Sequence, residues 1–589
     1  MASGRKGSSR LKDDSRSRAS QGRTNRTERA RGAAAVPTNI DSQLRIRVMV
    51  GLFILFALLV AGRLGYLALV VGPANAEKAA ETRTVSADLP AKRGTIYDRN
   101  GIVLATSVDA TTIYCNPSEV TDVSGEAQKI ASVLGGSASD YTDALTASDT
   151  SFAYIYRKAD TSVGDQVKAL GLDGIYFLDD TKRIYPCGQT AGQVVGMCDV
   201  DGNGLSGLEL YYDDILKGHD GSLEAERGAN GYPIAGGLYQ EQAAQDGEDI
   251  VVSIDVEMQA YLEQRLTQCV GDIEGKNGNA ILYDGSTGEI IAMASTPYLD
   301  PNDRTHVQSG ATELSSISSA FEPGSIFKTA SMSAVLESGI MTPDSTVYCP
   351  AHLQADEYYI SDAESRDDET MSLTHILEVS SNVGMSLTAK QLGARPLYNA
   401  LVRYNLDKKT GVDYPGESSG YCANPDTWST VQFYNISFGQ GIDVTPMQIT
   451  RFYGALTDNG VEQTPHFLIS KPQTGEVATY DTDQVIQNTS VIPELTTMLK
   501  GVVSEGTGKA AQISGFTPAG KTGTAEYAGD DGKYVSNMYN ISFVGYLPNT
   551  SSNLVCFVGV TDVPGDRITT PAFKDIMTFA INHYRITPQ

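Results

Sequence analysis

The first 44 residues hold almost nothing apolar to bury and read as a disordered tail. From Val48 to Gly62 the pattern reverses: the stretch VMVGLFILFALLVAG is uncharged and almost wholly apolar, and after Arg63 it resumes as LGYLALVV to Val71. At 1.5 Å rise per residue, that span can cross a hydrocarbon layer of about 30 Å. Beyond it, short alternating runs such as Thr111–Tyr114 predict strands. Segments such as Glu126–Leu134 and Ser162–Leu170 predict short helices. A new unit opens at Val251–Asp255 and continues with helical spacing over Glu257–Leu266. Asn279–Asp284 and Glu289–Ser295 then predict two strands joined by a hairpin turn at Gly285–Gly288, and Leu373–Val379 a helix. Ile541–Leu547 and Leu554–Val560 predict strands again, and Phe573–His583 a closing helix. Strands, helices, strands and a last helix predict an α/β (α+β) fold, with an antiparallel sheet and packed helices. No period of 20–50 residues recurs, so a solenoid is excluded.

Charge divides the chain. Residues 1–47 carry 12 Lys/Arg against 4 Asp/Glu, a net of +8, which leaves −34 for the rest of a chain whose total is −26. A basic leader before an apolar span places the N-terminus in the cytoplasm and the acidic bulk outside the membrane. The acidic bulk also argues against nucleic acid as its partner. Arg63 falls near the outer end of the span, where a long side chain can reach the headgroups. Ala74-Asn75-Ala76 has the form of a signal-peptide cleavage site, a competing reading. The long basic leader and long apolar span favour an uncleaved anchor. A chain of 589 residues is too long for one core. The patterning divides it into a basic tail (1–44), an anchor (45–71), a mixed pedestal (77–250) and a C-terminal domain (251–589). The seven cysteines form no CxxC pair and the six histidines are scattered, so no metal site or cofactor is expected. Cys349 and His352 read as structural neighbours, and Cys187 and Cys198 are close enough in sequence to pair.

Chemistry concentrates in the last domain. In the pedestal, RGTIYDRNG (Arg93–Gly101), RIYP (Arg183–Pro186) and GLSGLELYYD (Gly204–Asp213) read as turn signals with charged residues, Asn100-Gly101 being a hairpin corner. EPGSIFK (Glu322–Lys328) is different. A helix starting at its Pro-Gly corner puts Ser325 and Lys328 on one face, so the lysine can approach the hydroxyl, while the helix N-terminus favours an oxyanion. Ser380-Ser381-Asn382 and Lys521-Thr522-Gly523-Thr524 follow in the same domain. Ser380 can relay a proton and Asn382 can bind a substrate amide. Lys521 brings positive charge, and the Thr522 and Thr524 hydroxyls suit a carboxylate. Gly523 permits close approach of substrate backbone. The N–H groups of Ser325 and Thr524 make a candidate oxyanion hole.

Each short motif is common by itself, but the ordered set Ser-x-x-Lys, Ser-x-Asn, Lys-Thr-Gly resembles class A β-lactamases and penicillin-binding proteins. With SSN in the middle place and RGTIYDRNG, GLSGLE, TGEIIAMAS, SSNVG, KKTGVDYPGE, FGQGIDVTPMQ and KTGTAE around it, the chain resembles a class B penicillin-binding protein over nearly everything after residue 45. That resemblance implies a membrane-anchored peptidoglycan D,D-transpeptidase with a non-catalytic pedestal and a penicillin-binding fold. It implies Ser325 as the acylated serine, activated by neutral Lys328, stem peptides as substrates and β-lactams as covalent inhibitors. It further implies a membrane glycan polymerase as partner and a place in the division or elongation machinery. The basic tail and single anchor resemble the division type. The absence of PASTA-type repeats before Gln589 points away from the sporulation branch. A serine β-lactamase or β-lactam sensor shares the serine-lysine chemistry but fits the pedestal poorly, and a silent scaffold fits poorly with three intact motifs.

Overall fold

The structure is a computed structural model that describes residues 41–73, 84–226, 239–528 and 534–589. Most of the basic tail and the Ala74-Asn75-Ala76 triplet lie outside the described residues. The chain divides into two compact units, residues 1–85 with 226–232, and residues 86–225 with 233–589. The first contains the α-helix Asp41–Tyr66, continued by π-helical turns over Leu67–Val71. Its segment Gln43–Val71 is 29 residues long and apolar enough to cross a membrane. Apolar side chains are exposed all round it, Phe53 and Leu69 among them, the pattern that lipid rather than a protein core calls for.

The second unit is organised on a five-stranded antiparallel sheet with the order Ile290–Ser295, Asn277–Asp284, Leu554–Pro564, Tyr534–Tyr546, Ala519–Ala528. Period-two alternation sends Ile281, Tyr283, Val544, Val555 and Phe557 to one face, and Ala280, Leu282, Phe543, Cys556 and Val558 to the other. The second face packs on the helices Val256–Asp272 and Thr570–Tyr584 through Leu262, Leu266, Phe573 and Ile576. The first face packs on Pro446–Thr457 and Val491–Ser504, and Lys328–Glu337 lies among the helices of the same core. Because both faces are covered, the central strands are apolar nearly throughout, which makes them easy to find in the sequence. The helix Lys328–Glu337 is buried from Lys328 to Leu336, a central helix without a solvent face. Pro446–Thr457 begins on a capping box, with Thr445 Oγ1 accepting from Gln448 N at 3.1 Å and Gln448 Oε1 from Thr445 N at 2.7 Å.

A second sheet joins the expected pedestal to the C-terminal domain. Ile96–Tyr97 pairs in parallel with Ile250–Val252, which pairs in turn with Leu468–Lys471. On the other side of Ile96–Tyr97 lies Val103–Cys115, flanked by Ala153–Asp160 and Ile175–Ile184. The three pedestal patterns are more than turns. Arg93 and Arg183 both donate to the fully buried Glu209 carboxylate, Arg183 Nε at 2.7 Å, and Arg93 Nη1 reaches Asp213 Oδ1 at 2.7 Å. The Asn100-Gly101 corner is a hairpin turn as expected, with Asp98 Oδ1 accepting from Asn100 N and Ile102 N, both at 2.8 Å. Tyr212 donates to Asp413 Oδ2 at 2.6 Å, tying the last pedestal pattern to KKTGVDYPGE. All seven cysteines are free thiols, Cys187 and Cys198 included.

Candidate active site

The Pro323-Gly324 corner opens a 3-10 turn, Gly324–Phe327, and the α-helix begins only at Lys328. The expected α-helical start is thus tightened by one turn. The cause is close packing. Gly324 has φ +55°, and a Cβ there would meet Thr524 O at 2.8 Å and Ala525 Cβ at 3.1 Å. Gly324 N donates to Gly439 O at 2.9 Å, and Glu322 Oε1 accepts from Gly441 N at 2.7 Å, so the FGQG loop seats the corner. Behind it, Tyr453 OH donates to Ile326 O at 3.0 Å and lies 2.6 Å from Thr329 Oγ1. Ser325 is left half-buried at the surface of this turn, and Lys328 beneath it is fully buried.

Lys328 Nζ lies 2.5 Å from Ser380 O, 2.7 Å from Asn382 Oδ1 and 3.2 Å from Ser380 Oγ. Lys521 Nζ lies 3.0 Å from the same Ser380 Oγ and 3.1 Å from Thr522 O. One hydroxyl therefore stands between two buried amines. Burial, then the Lys521 charge, hold the Lys328 amine well below the usual lysine range, with Arg366 acting in the same direction and Asp362 against it. Burial pushes Lys521 down to about 7. Among the described residues Lys328 makes no hydrogen bond to the Ser325 hydroxyl, because its acceptors come from the SSN loop. Such contacts commonly tighten only when substrate is bound.

Ser380 sits at φ +59°, a conformation that a serine adopts only when its surroundings impose it. Ser381 imposes it from one side as N-cap of the helix Asn382–Leu392, accepting from Gly384 N at 2.9 Å. Asn382 Oδ1 accepts from Lys328 Nζ, and Nδ2 donates to Ser361 O at 3.2 Å.

Lys521, Thr522, Gly523 and Thr524 lie on the edge strand Ala519–Ala528, in register with Val544, Phe543, Ser542 and Ile541. Alternation buries Lys521 and Gly523 and leaves Thr522 half-buried and Thr524 exposed. Gly523 has a use within the fold as well as the expected room for substrate. A Cβ there would meet Ser542 Oγ at 2.3 Å, Ile326 Cγ2 at 3.0 Å and Pro323 O at 3.1 Å, so the missing side chain admits the nucleophile turn. The Thr522 hydroxyl is shared with Thr507 at 2.6 Å, whereas that of Thr524 has no partner among the described residues. Thr524 O faces Gly324, and in an antiparallel pair N–H and C=O of one residue point the same way, so the Thr524 N–H is turned to the open edge beside Ser325. The Ser325 N–H stands in the first turn of its helix, where no intrahelical acceptor exists. The eight residues singled out in the sequence thus converge. Sequence reasoning missed Asp362, Arg366, Ser381, Tyr453 and Thr507. Of these only Ser381 carried a local signal, as a serine heading a helix.

Such a site can acylate a serine next to a neutral amine and shelter an oxyanion between two N–H groups. Comparison with known proteins gives the arrangement its relatives. The family model for the penicillin binding protein transpeptidase domain matches residues 278–578, and that for the penicillin-binding protein dimerisation domain matches residues 88–252. A probable peptidoglycan D,D-transpeptidase PbpC of Pseudomonas aeruginosa is 30% identical over 555 residues, covering 92% of this chain and 96% of the relative. Penicillin-binding protein PbpB of Mycobacterium tuberculosis is 31% identical over 581 residues, covering 92% of this chain and 84% of the relative. Among solved structures, penicillin binding protein 3 of Mycobacterium tuberculosis complexed with aztreonam superposes with a TM-score of 0.66 at 26% identity, over 85% of this chain and 98% of that one.

Proposed function

This chain belongs to the class B penicillin-binding proteins, and from that premise we propose how its own residues carry out peptidoglycan D,D-transpeptidation. It is a serine-type D,D-transpeptidase. Ser325 Oγ attacks the carbonyl of the penultimate D-Ala of a stem peptide while its proton passes to neutral Lys328. The Ser325 and Thr524 N–H groups hold the oxyanion of the tetrahedral intermediate. The carbon–nitrogen bond then breaks, and the proton returns from Lys328 through Ser380 to the departing D-Ala nitrogen. An amine from a second stem attacks the acyl ester, loses its proton along the same path, and regenerates Ser325. Lys521 and the Thr524 hydroxyl bind the terminal carboxylate, with Thr522 holding the strand edge. Asn382 keeps Lys328 turned toward Ser380.

The observation that carries this reading is the single hydroxyl of Ser380, within 3.2 Å of Lys328 Nζ and 3.0 Å of Lys521 Nζ, beneath an accessible Ser325. A β-lactam offers the same carbonyl, and the complex of the M. tuberculosis relative with aztreonam supports acylation of Ser325 by such compounds. The charge split supports a cytoplasmic N-terminus, one membrane pass and an extracytoplasmic catalytic unit, and the resemblance to class B penicillin-binding proteins is what implies a membrane glycan polymerase as partner and a role in division.

The test is cross-linking of nascent glycan by the full chain reconstituted in lipid with a polymerase. Ser325→Ala and Lys328→Met should each abolish cross-links while leaving glycan polymerisation intact. Cross-linking that survives in Ser325→Ala would contradict the assignment.

A further inference from the structure

Asp362 and Arg366 lie outside the three motifs, and no step above uses them, yet they grip the loop that carries Ser380. Asp362 Oδ2 accepts from Ser381 Oγ at 2.8 Å, and Asp362 Oδ1 accepts from Val383 N at 3.0 Å. Arg366 Nε stands 3.5 Å from Asp362 Oδ2, and Arg366 Nη2 donates to Val379 O at 2.8 Å. The neighbouring Ser361 O takes Asn382 Nδ2 at 3.2 Å. Residues 361–366 thus hold the chain on both sides of Ser380, at Val379 and at Ser381–Val383. That grip accounts for the left-handed backbone of Ser380, φ +59°. The Asp362 side chain is 8% exposed and that of Arg366 18%, so solvent screens the pair weakly.

We propose that Asp362 and Arg366 are positioning residues for acyl transfer, fixing Ser380 between the two lysines and setting the charge environment in which Lys328 works. The inference rests on the Ser325–Lys328 reading above. The charges that face Lys328 are Lys521 from the edge strand, Asp362 and Arg366 from this segment, with the Phe438 ring 6.0 Å from Nζ. Asp362 favours the ammonium form and Arg366 disfavours it, so removing one should oppose removing the other.

The test is the rate of acylation by a fluorescent penicillin, followed from pH 5 to pH 10 on the full-length chain in detergent. Acylation requires neutral Lys328, so its acid limb follows the pKa of that amine. Asp362→Asn should slow acylation at its optimum by about tenfold and move the acid limb to lower pH by about half a unit or more. Arg366→Gln should move the limb to higher pH. Ser381→Ala, which cuts the link to Asp362 but keeps the charge, should slow the reaction without moving the limb. Limbs that stay in place, or move the same way in the two charge variants, overturn the proposal. If Asp362→Asn shows no cooperative melt, the limb of Arg366→Gln decides alone: a rise supports the proposal and an unmoved limb overturns it. Mapping the wild-type adduct separates the two levels. An adduct away from Ser325 overturns the site reading itself, whereas an adduct on Ser325 with unmoved limbs overturns only the positioning role.

Discussion

Lys328 and Lys521 bring two amines within reach of one hydroxyl, and their burial disfavours protonation of both. Burial lowers both, Lys521 to about 7. An unfolded lysine titrates near 10.4, so between about pH 7 and pH 10 the unfolded chain binds more protons than the folded one, and stability rises with pH across that window. Lys521→Met should therefore raise the melting temperature at pH 7 by at least a few degrees and flatten its climb toward pH 10. The same variant should slow penicillin acylation. A melting temperature at pH 7 that falls would contradict neutral burial of this side chain. The identities of Ser325, Lys328, Ser380 and Lys521 were legible in the sequence because their chemistry is concentrated in three short ordered runs. The duties of Asn382 and Gly523 were not, because each depends on a partner far away in sequence, Lys328 and the Pro323–Ile326 turn respectively.

At the scale of elements, the edge strand Ala519–Ala528 and the nucleophile turn are fitted backbone to backbone. Gly523→Ala puts a methyl 2.3 Å from Ser542 Oγ and 3.1 Å from Pro323 O. It should cost about 1–3 kcal/mol of stability, measurable by chemical denaturation, and slow acylation by shifting Ser325 away from the Thr524 N–H. Unchanged acylation kinetics in that variant would show that the turn does not depend on the strand. The buried strands were predictable because period-two alternation meets a core on both faces. The sheet runs further than that pattern showed: Tyr534–Tyr546 starts in the stretch YVSNMYN, whose Tyr539 and Asn540 pair with Glu526 and Ala525. The 3-10 start of the nucleophile helix was equally invisible, since Gly439 and Thr524 enforce it from far along the chain.

At the scale of the molecule, the shared sheet makes the pedestal segment and the catalytic segment parts of one compact unit. Three pedestal patterns that read as separate turns meet at Glu209, between Arg93 and Arg183. Glu209→Ala leaves two arginines without their buried counter-charge and should destabilise the unit by about 3–5 kcal/mol, readable as an earlier thermal transition. The chemistry of the whole molecule turns on one atom, the hydroxyl oxygen of Ser325. Its most direct test is to react the full-length chain with a penicillin and locate the adduct by peptide mass mapping. The expected result is a single, long-lived penicilloyl ester on Ser325, absent from Ser325→Ala. An adduct on any other residue, or penicillin turned over without a persistent adduct, would contradict it.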